Sequence, residues 1–302
     1  MAVKEQESDR FLQEFHDDIH RKNQGKVKIF LGYAEGTGKT YAMLQAAHQA
    51  KEHGVDVVAG YIEAHNSSQT EALLEGIEQI KPKQVSFGDK TGFEFDIDAA
   101  LKRRPGLILL DEYAHTNIGN SRHFKRYQDV QELLNAGINV YTTVNIQHIE
   151  SLNDVVAAIT GVLVKERIPD SVFDKADQVE LVDIEPIELL ERMSRKTVSS
   201  DNRNNNEFFT LEKLTALREI ALRRCADRVN LLTENARLQS KSDYHTDEHI
   251  LVCLSASPSN AKIIRTAARM AQAFHGAFTA LFVETPDTNF MAEQDKVQLQ
   301  KN

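Results

Sequence analysis

Hydrophobic and polar positions in this chain switch between two periods. Val27 to Leu31, Val55 to Ile62, Leu107 to Asp111, Ile138 to Val144 and Val179 to Ile184 are short apolar or β-branched runs. Runs of this length, bounded by turn and charged residues, suit strands buried on both faces. Between them lie helical stretches: Tyr41 to His53, closed by Gly54; Gln69 to Ile80, ended by Pro82; Ile97 to Arg103, stopped by Pro105; and Lys125 to Asn135. Alternating strands and helices predict an α/β fold, a mostly parallel sheet flanked by helices. Such sheets take ligands at the carboxyl ends of their strands.

The flanking segments read differently. Phe11, Leu12, Phe15 and Ile19 share one face of a short amphipathic helix within residues 1–24. Lys196 to Asn206 is polar and reads as a surface loop, after which Glu207 to about Arg237 reads as one long helix. Arg218, Arg223, Arg224 and Arg228 on it are read as a solvated face, with a docking surface as the alternative. The cluster Arg122, His123, Lys125 and Arg126 is read as a solvated helix start, with phosphate contact second. Residues 238–248 form a linker. His249 to Leu254, Asn260 to Phe274 and Ala277 to Val283 then make one βαβ unit in a second domain, 249–302, which cannot by itself cover both faces of its sheet. The first domain spans 25–237.

Composition narrows the function classes. A formal charge of −9 over 302 residues argues against holding nucleic acid through bulk electrostatics. The longest apolar runs fall well short of the roughly 20 residues of a membrane span. Glu5, Glu7, Asp9, Asp17 and Asp18 stand where a secretory leader would be basic and apolar. The two cysteines, Cys225 and Cys253, form no paired spacing. A cytoplasmic compartment is the expectation, and a homo-oligomer is left open.

The strongest chemical pattern is KIFLGYAEGTGKT, Lys28 to Thr40, in which a strand runs into a glycine-rich turn ending at a helix start. Glycines let backbone N–H groups wrap a phosphate, a lysine reaches the terminal phosphates and a hydroxyl serves Mg²⁺. Gly32, Gly36, Thr37, Gly38, Lys39 and Thr40 are therefore the candidate ATP cradle. The strict spacing puts its first small residue at position 33, where this chain has Tyr33, and Glu35 adds a carboxylate to the loop. LILLDE, Leu107 to Glu112, supplies the partner motif. Asp111 and Thr40 are the Mg²⁺ candidates, and Glu112 is the base if the site hydrolyses ATP. Asn145, after a later strand, is placed to sense a terminal phosphate, with a structural cap as the alternative; Glu63 and His65 are read as polar lining, with no special role as the alternative.

DEYAHTNIGNSRHFKRYQDV, Asp111 to Val130, VYTTVNIQHIESLNDVV, Val140 to Val156, and LTALREIALRRCADRV, Leu214 to Val229, closely resemble stretches of the KdpD osmosensitive potassium-channel sensor histidine kinase family, in its N-terminal cytoplasmic region. The resemblance runs from about Lys26 to Val229 and resumes at His249. It implies a P-loop-like fold, a sensory role, and partners in a histidine kinase module or potassium-response two-component system. The family's loop usually has Ala at the positions of Tyr33 and Ala34 and Pro at that of Glu35, a departure that bears on ATP affinity. Family members are membrane-anchored and continue into a full universal-stress domain, transmembrane helices and kinase modules, none of which is read here.

The second domain is similar to a partial universal-stress-type unit. Ser255-Ala256-Ser257 and, after a twenty-residue gap, Phe278-Thr279-Ala280-Leu281-Phe282 resemble a pattern linked in this family to cyclic di-AMP. The resemblance implies that Ser255 and Ser257 donate to phosphate, with apolar contact from Phe278, Thr279, Ala280 and Phe282. The expected function is a regulatory nucleotide-binding module sensing cyclic di-AMP and ATP with Mg²⁺. The alternative is a Mg-dependent P-loop ATPase.

Overall fold

The computed structural model describes residues 24–63, 68–87, 90–197, 210–240, 249–255, 257, 260–273 and 277–283. The chain divides into two compact units between Asn230 and Leu231. The N-terminal amphipathic stretch, His65, most of the Asn-rich segment and residues 241–248 lie outside the described residues.

The first unit is built on β1 (Val27–Gly32), β2 (Val57–Tyr61), β3 (Glu78–Gln79), β6 (Leu107–Leu110), β7 (Asn139–Asn145) and β8 (Gln178–Leu181). They form one sheet in the order β3-β2-β6-β7-β1-β8, with parallel neighbours throughout. The α/β expectation is met. Side chains alternate across the sheet: Phe30, Leu107 and Leu109 pack on one face with Met43, Leu44 and Ala47 of α1 (Lys39–Glu52). Ile29, Leu31, Ile108 and Leu110 face the other way, toward α3 (Ile97–Arg103), α4 (Arg126–Asn135), α5 (Asn153–Thr160) and the long α8 (Leu211–Ser240). This two-residue period in a sheet covered on both faces explains the unbroken apolar strands.

The expected helix from Gln69 to Ile80 is shorter. α2 (Ser68–Leu74) stops early because Gly76, at φ 78°, turns the chain, and Glu78–Gln79 then pairs with Val58 and Ala59 as an edge strand. Several elements were not read from the sequence, among them α5, α6 (Asp170–Asp174) and two larger features. One is the antiparallel hairpin of β4 (Lys83–Phe87) and β5 (Lys90–Glu94); the other is α7 (Pro186–Thr197), with Pro186 at its first position. The short α6 precedes β8.

The arginines of α8 correct the solvated-face reading. Arg224 and Arg228 are buried, Arg224 bonding Asp174 at 2.6 Å and Arg228 donating to the Ala176 carbonyl. Arg218 grips Asp183 and Glu185 at 2.7 to 2.8 Å. Only Arg223 of the four has the exposed setting expected, paired with Glu219 one turn back. Arg224 and Arg228, four residues apart, together with Arg218 therefore mark docked sides of the helix.

The second unit holds β9 (His249–Cys253), α9 (Asn260–Ala273) and β10 (Ala277–Leu281), with the strands paired in parallel from Ala277↔His249 to Leu281↔Cys253. Val252, Ala267 and Ala271 are buried, while Leu251, Leu281 and Val283 are exposed. Among the described residues, no helix is long and apolar enough to cross a membrane.

Candidate functional site

β1 ends in the glycine turn that launches α1, and the glycines have separate tasks. Gly36 and Gly38 hold left-handed backbone, φ 81° and 96°, which aims successive N–H groups to one side. Gly32 is extended, but a Cβ there would run into Thr37 Oγ1 and the Lys39 stem. Gly32, one position before the strict motif, thus lets Lys39 fold back over the end of β1. Lys39 Nζ reaches the Ala34 carbonyl at 3.4 Å, and Thr37 Oγ1 donates to the same oxygen at 3.2 Å. Burial lowers the Lys39 ammonium pKa, against the opposing pull of Asp111, Glu35 and Glu112.

Tyr33 does not enter this cradle. Its side chain is fully buried in the core, and its hydroxyl donates to the Ile184 carbonyl at 3.0 Å. Glu35 is exposed.

Asp111 follows β6 and is clamped by hydroxyls on both sides. Thr40 Oγ1 donates to its Oδ2 at 2.9 Å, and Thr143 of β7 donates to Oδ1. Glu112, at φ 58°, donates its N–H to Thr143 Oγ1 and Asp111 Oδ1, both at 3.2 Å. The left-handed backbone turns Glu112 out of line with the strand. Its carboxyl pKa is raised to about 8, first by burial, then by the charge and hydrogen bond of Glu63 and the charge of Asp111. Asn145 lies level with Gly32 across the β1–β7 ladder. It is buried, and its Oδ1 has no partner among the described residues. The strand order therefore brings Gly32, Lys39, Thr40, Asp111, Glu112 and Asn145 to one end of the sheet.

Arg126, read from sequence as part of a solvated helix start, is wholly buried behind this site. It donates to the Asp111 carbonyl at 3.0 Å and to Glu94 Oε2 at 3.1 Å, with its guanidinium over the Tyr61 ring at 4.4 Å. Burial would raise the Glu94 pKa, but hydrogen bonds from His115 and Ile118 N–H and the Arg126 charge leave it below the ordinary value. The requirement was visible only as a charge beside the Asp111 motif; the partner, Glu94, comes from the unread hairpin.

In the second unit, Ser255 is exposed at the end of β9, where Ser257 N–H bonds its hydroxyl at 3.3 Å and the buried Asn260 amide bonds its carbonyl. Leu254 N–H donates to the Leu281 carbonyl, so Phe282 lies at the same end. Phe278, Thr279 and Ala280 are exposed along β10; Phe278 pairs with Ile250 toward the opposite end, and Thr279 Oγ1 meets His249 Nε2 at 2.8 Å.

Residues 23–229 match the family described as "Osmosensitive K+ channel His kinase sensor domain", KdpD. The chain is 52% identical over 297 residues to a "Sensor protein KdpD" of Clostridium acetobutylicum, covering 96% of this chain and 33% of that protein. It is 43% identical over 279 residues to the Escherichia coli "Sensor protein KdpD", covering 91% of this chain and 31% of that protein. With the "Putative sensor protein KdpD" of Synechocystis sp. it is 41% identical over 285 residues, covering 93% of this chain and 75% of that protein. It spans about a third of the first two. A loop, an aspartate clamp and an α8 docking face that all fall within the matched residues, together with relatives this similar, place the chain in the KdpD family.

Proposed function

We propose that the first unit is a regulatory ATP-binding module, working with a histidine kinase and response regulator in a potassium-responsive two-component system. The observation that carries the ATP reading is the Thr40–Asp111 hydrogen bond at 2.9 Å beside the glycine loop. A hydroxyl and a carboxylate at that spacing are the protein oxygens that Mg²⁺ takes alongside phosphates and waters. Thr40 and Asp111 would hold the ion, which would neutralise phosphate charge. Gly36, Thr37 and Gly38 would offer backbone N–H groups, and Lys39 would move from the Ala34 carbonyl to the terminal phosphates. The unpartnered Oδ1 of Asn145 sits where a polar group can be used by a ligand or its water.

Binding is favoured over turnover. Glu35 places a carboxylate in the loop that must align the phosphates, which works against turnover. The test is isothermal titration with Mg-ATP for the unaltered chain and Lys39→Ala. Equal affinities would remove the site assignment. Phosphate release near about 10 per second would favour the ATPase reading.

For the second unit the reading is cyclic di-AMP, supported by Ser255 and Ser257 following β9 and Phe282 following β10 at the same end of the strand pair. Titration of the chain with cyclic di-AMP tests it, and absence of binding would reject the ligand.

A further inference from the structure

Tyr33 fills a position where the phosphate-loop pattern asks for a small residue, and its surroundings give that bulk a task. The ring lies in the core shared by Ile184, Leu189, Leu214 and Leu217, joining the loop to the segment before α7 and to α8. Its hydroxyl holds the Ile184 carbonyl at 3.0 Å. The residues on either side, Asp183 and Glu185, receive three hydrogen bonds from Arg218 of α8 at 2.7 to 2.8 Å. The loop also faces α7 directly: a Cβ on Gly36 would lie 3.3 Å from Leu189 Cδ1. Two points of the loop thus rest on one short segment, and α8 grips that segment by a bidentate arginine.

The opposite side of the loop is self-satisfied, with Lys39 Nζ and Thr37 Oγ1 both on the Ala34 carbonyl. A phosphate that recruits Lys39 removes one of these contacts and bears on the Ala34–Glu35 peptide, one residue beyond Tyr33. Tyr33 can follow only by releasing Ile184 or by drawing residues 183–185 with it. Packed elements of this kind shift between discrete arrangements rather than deform smoothly.

We infer that phosphate-loop occupancy and the docking of α8 are coupled in free energy, with the Tyr33–Ile184 hydrogen bond as the joint between them. The inference rests on the nucleotide reading and adds the regulation of that site. Linkage is reciprocal: if occupancy alters α8 docking, weakening the docking alters nucleotide affinity by the same factor.

The experiment titrates Mg-ATP into the full chain, Arg218→Ala, Tyr33→Phe and the double variant, with Asp183→Asn as a gentler break of the same clamp. Amide exchange across residues 211–230 of the unaltered chain is followed with and without saturating Mg-ATP. Arg218→Ala or Asp183→Asn is expected to change the Kd by about fivefold or more. That change should largely vanish in the Tyr33→Phe background, and Mg-ATP should alter exchange in 211–230. Unchanged exchange at saturation overturns the coupling while leaving the nucleotide site intact, and a shift that survives Tyr33→Phe overturns the joint. If the unaltered chain takes up no Mg-ATP by titration, the nucleotide reading itself fails and the coupling falls with it.

Discussion

Thr40 and Asp111, 71 positions apart in sequence, meet hydroxyl to carboxylate at 2.9 Å. Thr40 opens α1 and Asp111 follows β6, yet β7 lies between β1 and β6 in the sheet. The pair therefore spans the inserted strand, and Thr143 of that strand holds the second carboxylate oxygen. Asp111→Asn should preserve the fold but weaken Mg-dependent ATP binding by roughly five- to 150-fold, the equivalent of about 1–3 kcal/mol for a charge-assisted contact. Titrations with Mg²⁺ and with chelator separate the outcomes, and an equal loss in both would speak against a metal role.

Arg126 and Glu94 form a buried ion pair whose members are 0% and 3% exposed. Replacing Arg126 by Met leaves Glu94 charged and desolvated and removes the support of the Asp111 carbonyl. The expected cost is about 3–5 kcal/mol, read as a lowered urea midpoint. Arg126→Met together with Glu94→Gln should recover part of it, and no recovery would show that the charge is not the cause.

Glu112 carries a pH signature. Its pKa is raised from 4.5 to about 8, so between those values the folded chain holds more proton than the unfolded chain. Stability contributed through this group is consequently highest below about pH 4.5 and declines as pH rises toward 8. Glu112→Gln should flatten that decline, gaining on the order of 1 kcal/mol over the unaltered chain at alkaline pH, after discounting for partial solvation. Urea midpoints for both chains at acid and alkaline pH check the sign. An equal slope in the two would exclude Glu112 as the source.

Ser255→Ala with Ser257→Ala should reduce cyclic di-AMP affinity by about five- to 150-fold if each hydroxyl donates to phosphate. Mg-ATP binding should be unaltered. An unchanged cyclic di-AMP affinity in the titration would clear both serines of any role.

The alternation of apolar runs with helical periods was enough to place β1, β2, β6 and β7, because a strand covered on both faces leaves a continuous apolar run, and the edge strand β8 showed instead as alternating apolar and polar positions. Ile97–Arg103 was recovered to the residue, since Asp96 caps it through Ala99 N–H and Pro105 follows it. The hairpin β4–β5 escaped because Lys83 to Glu94 is mostly polar; the signal available was Gly88-Asp89 between two β-prone runs. At the candidate site, Lys39, Thr40 and Asp111 were legible from local motifs. Tyr33 and Arg126 were not, because the partners that bury them, Ile184 and Glu94, lie 151 and 32 positions away. A local motif states which residue is present but not which distant group will neutralise or enclose it.

The position of β1 within the sheet has a consequence for synthesis. Its ladder partners begin at Val140 in β7 and Gln178 in β8. The strand that carries the glycine-rich loop thus remains unpaired while more than a hundred further residues are added. At elongation rates of about 5–20 residues per second, that interval is on the order of ten seconds. Throughout it, Ile29, Phe30 and Leu31, fully buried in the finished sheet, have no native strand beside them. Nascent-chain folding should therefore remain protease-sensitive around β1 until β7 has emerged, and the loop's geometry should arise late, as the last strands close on the first.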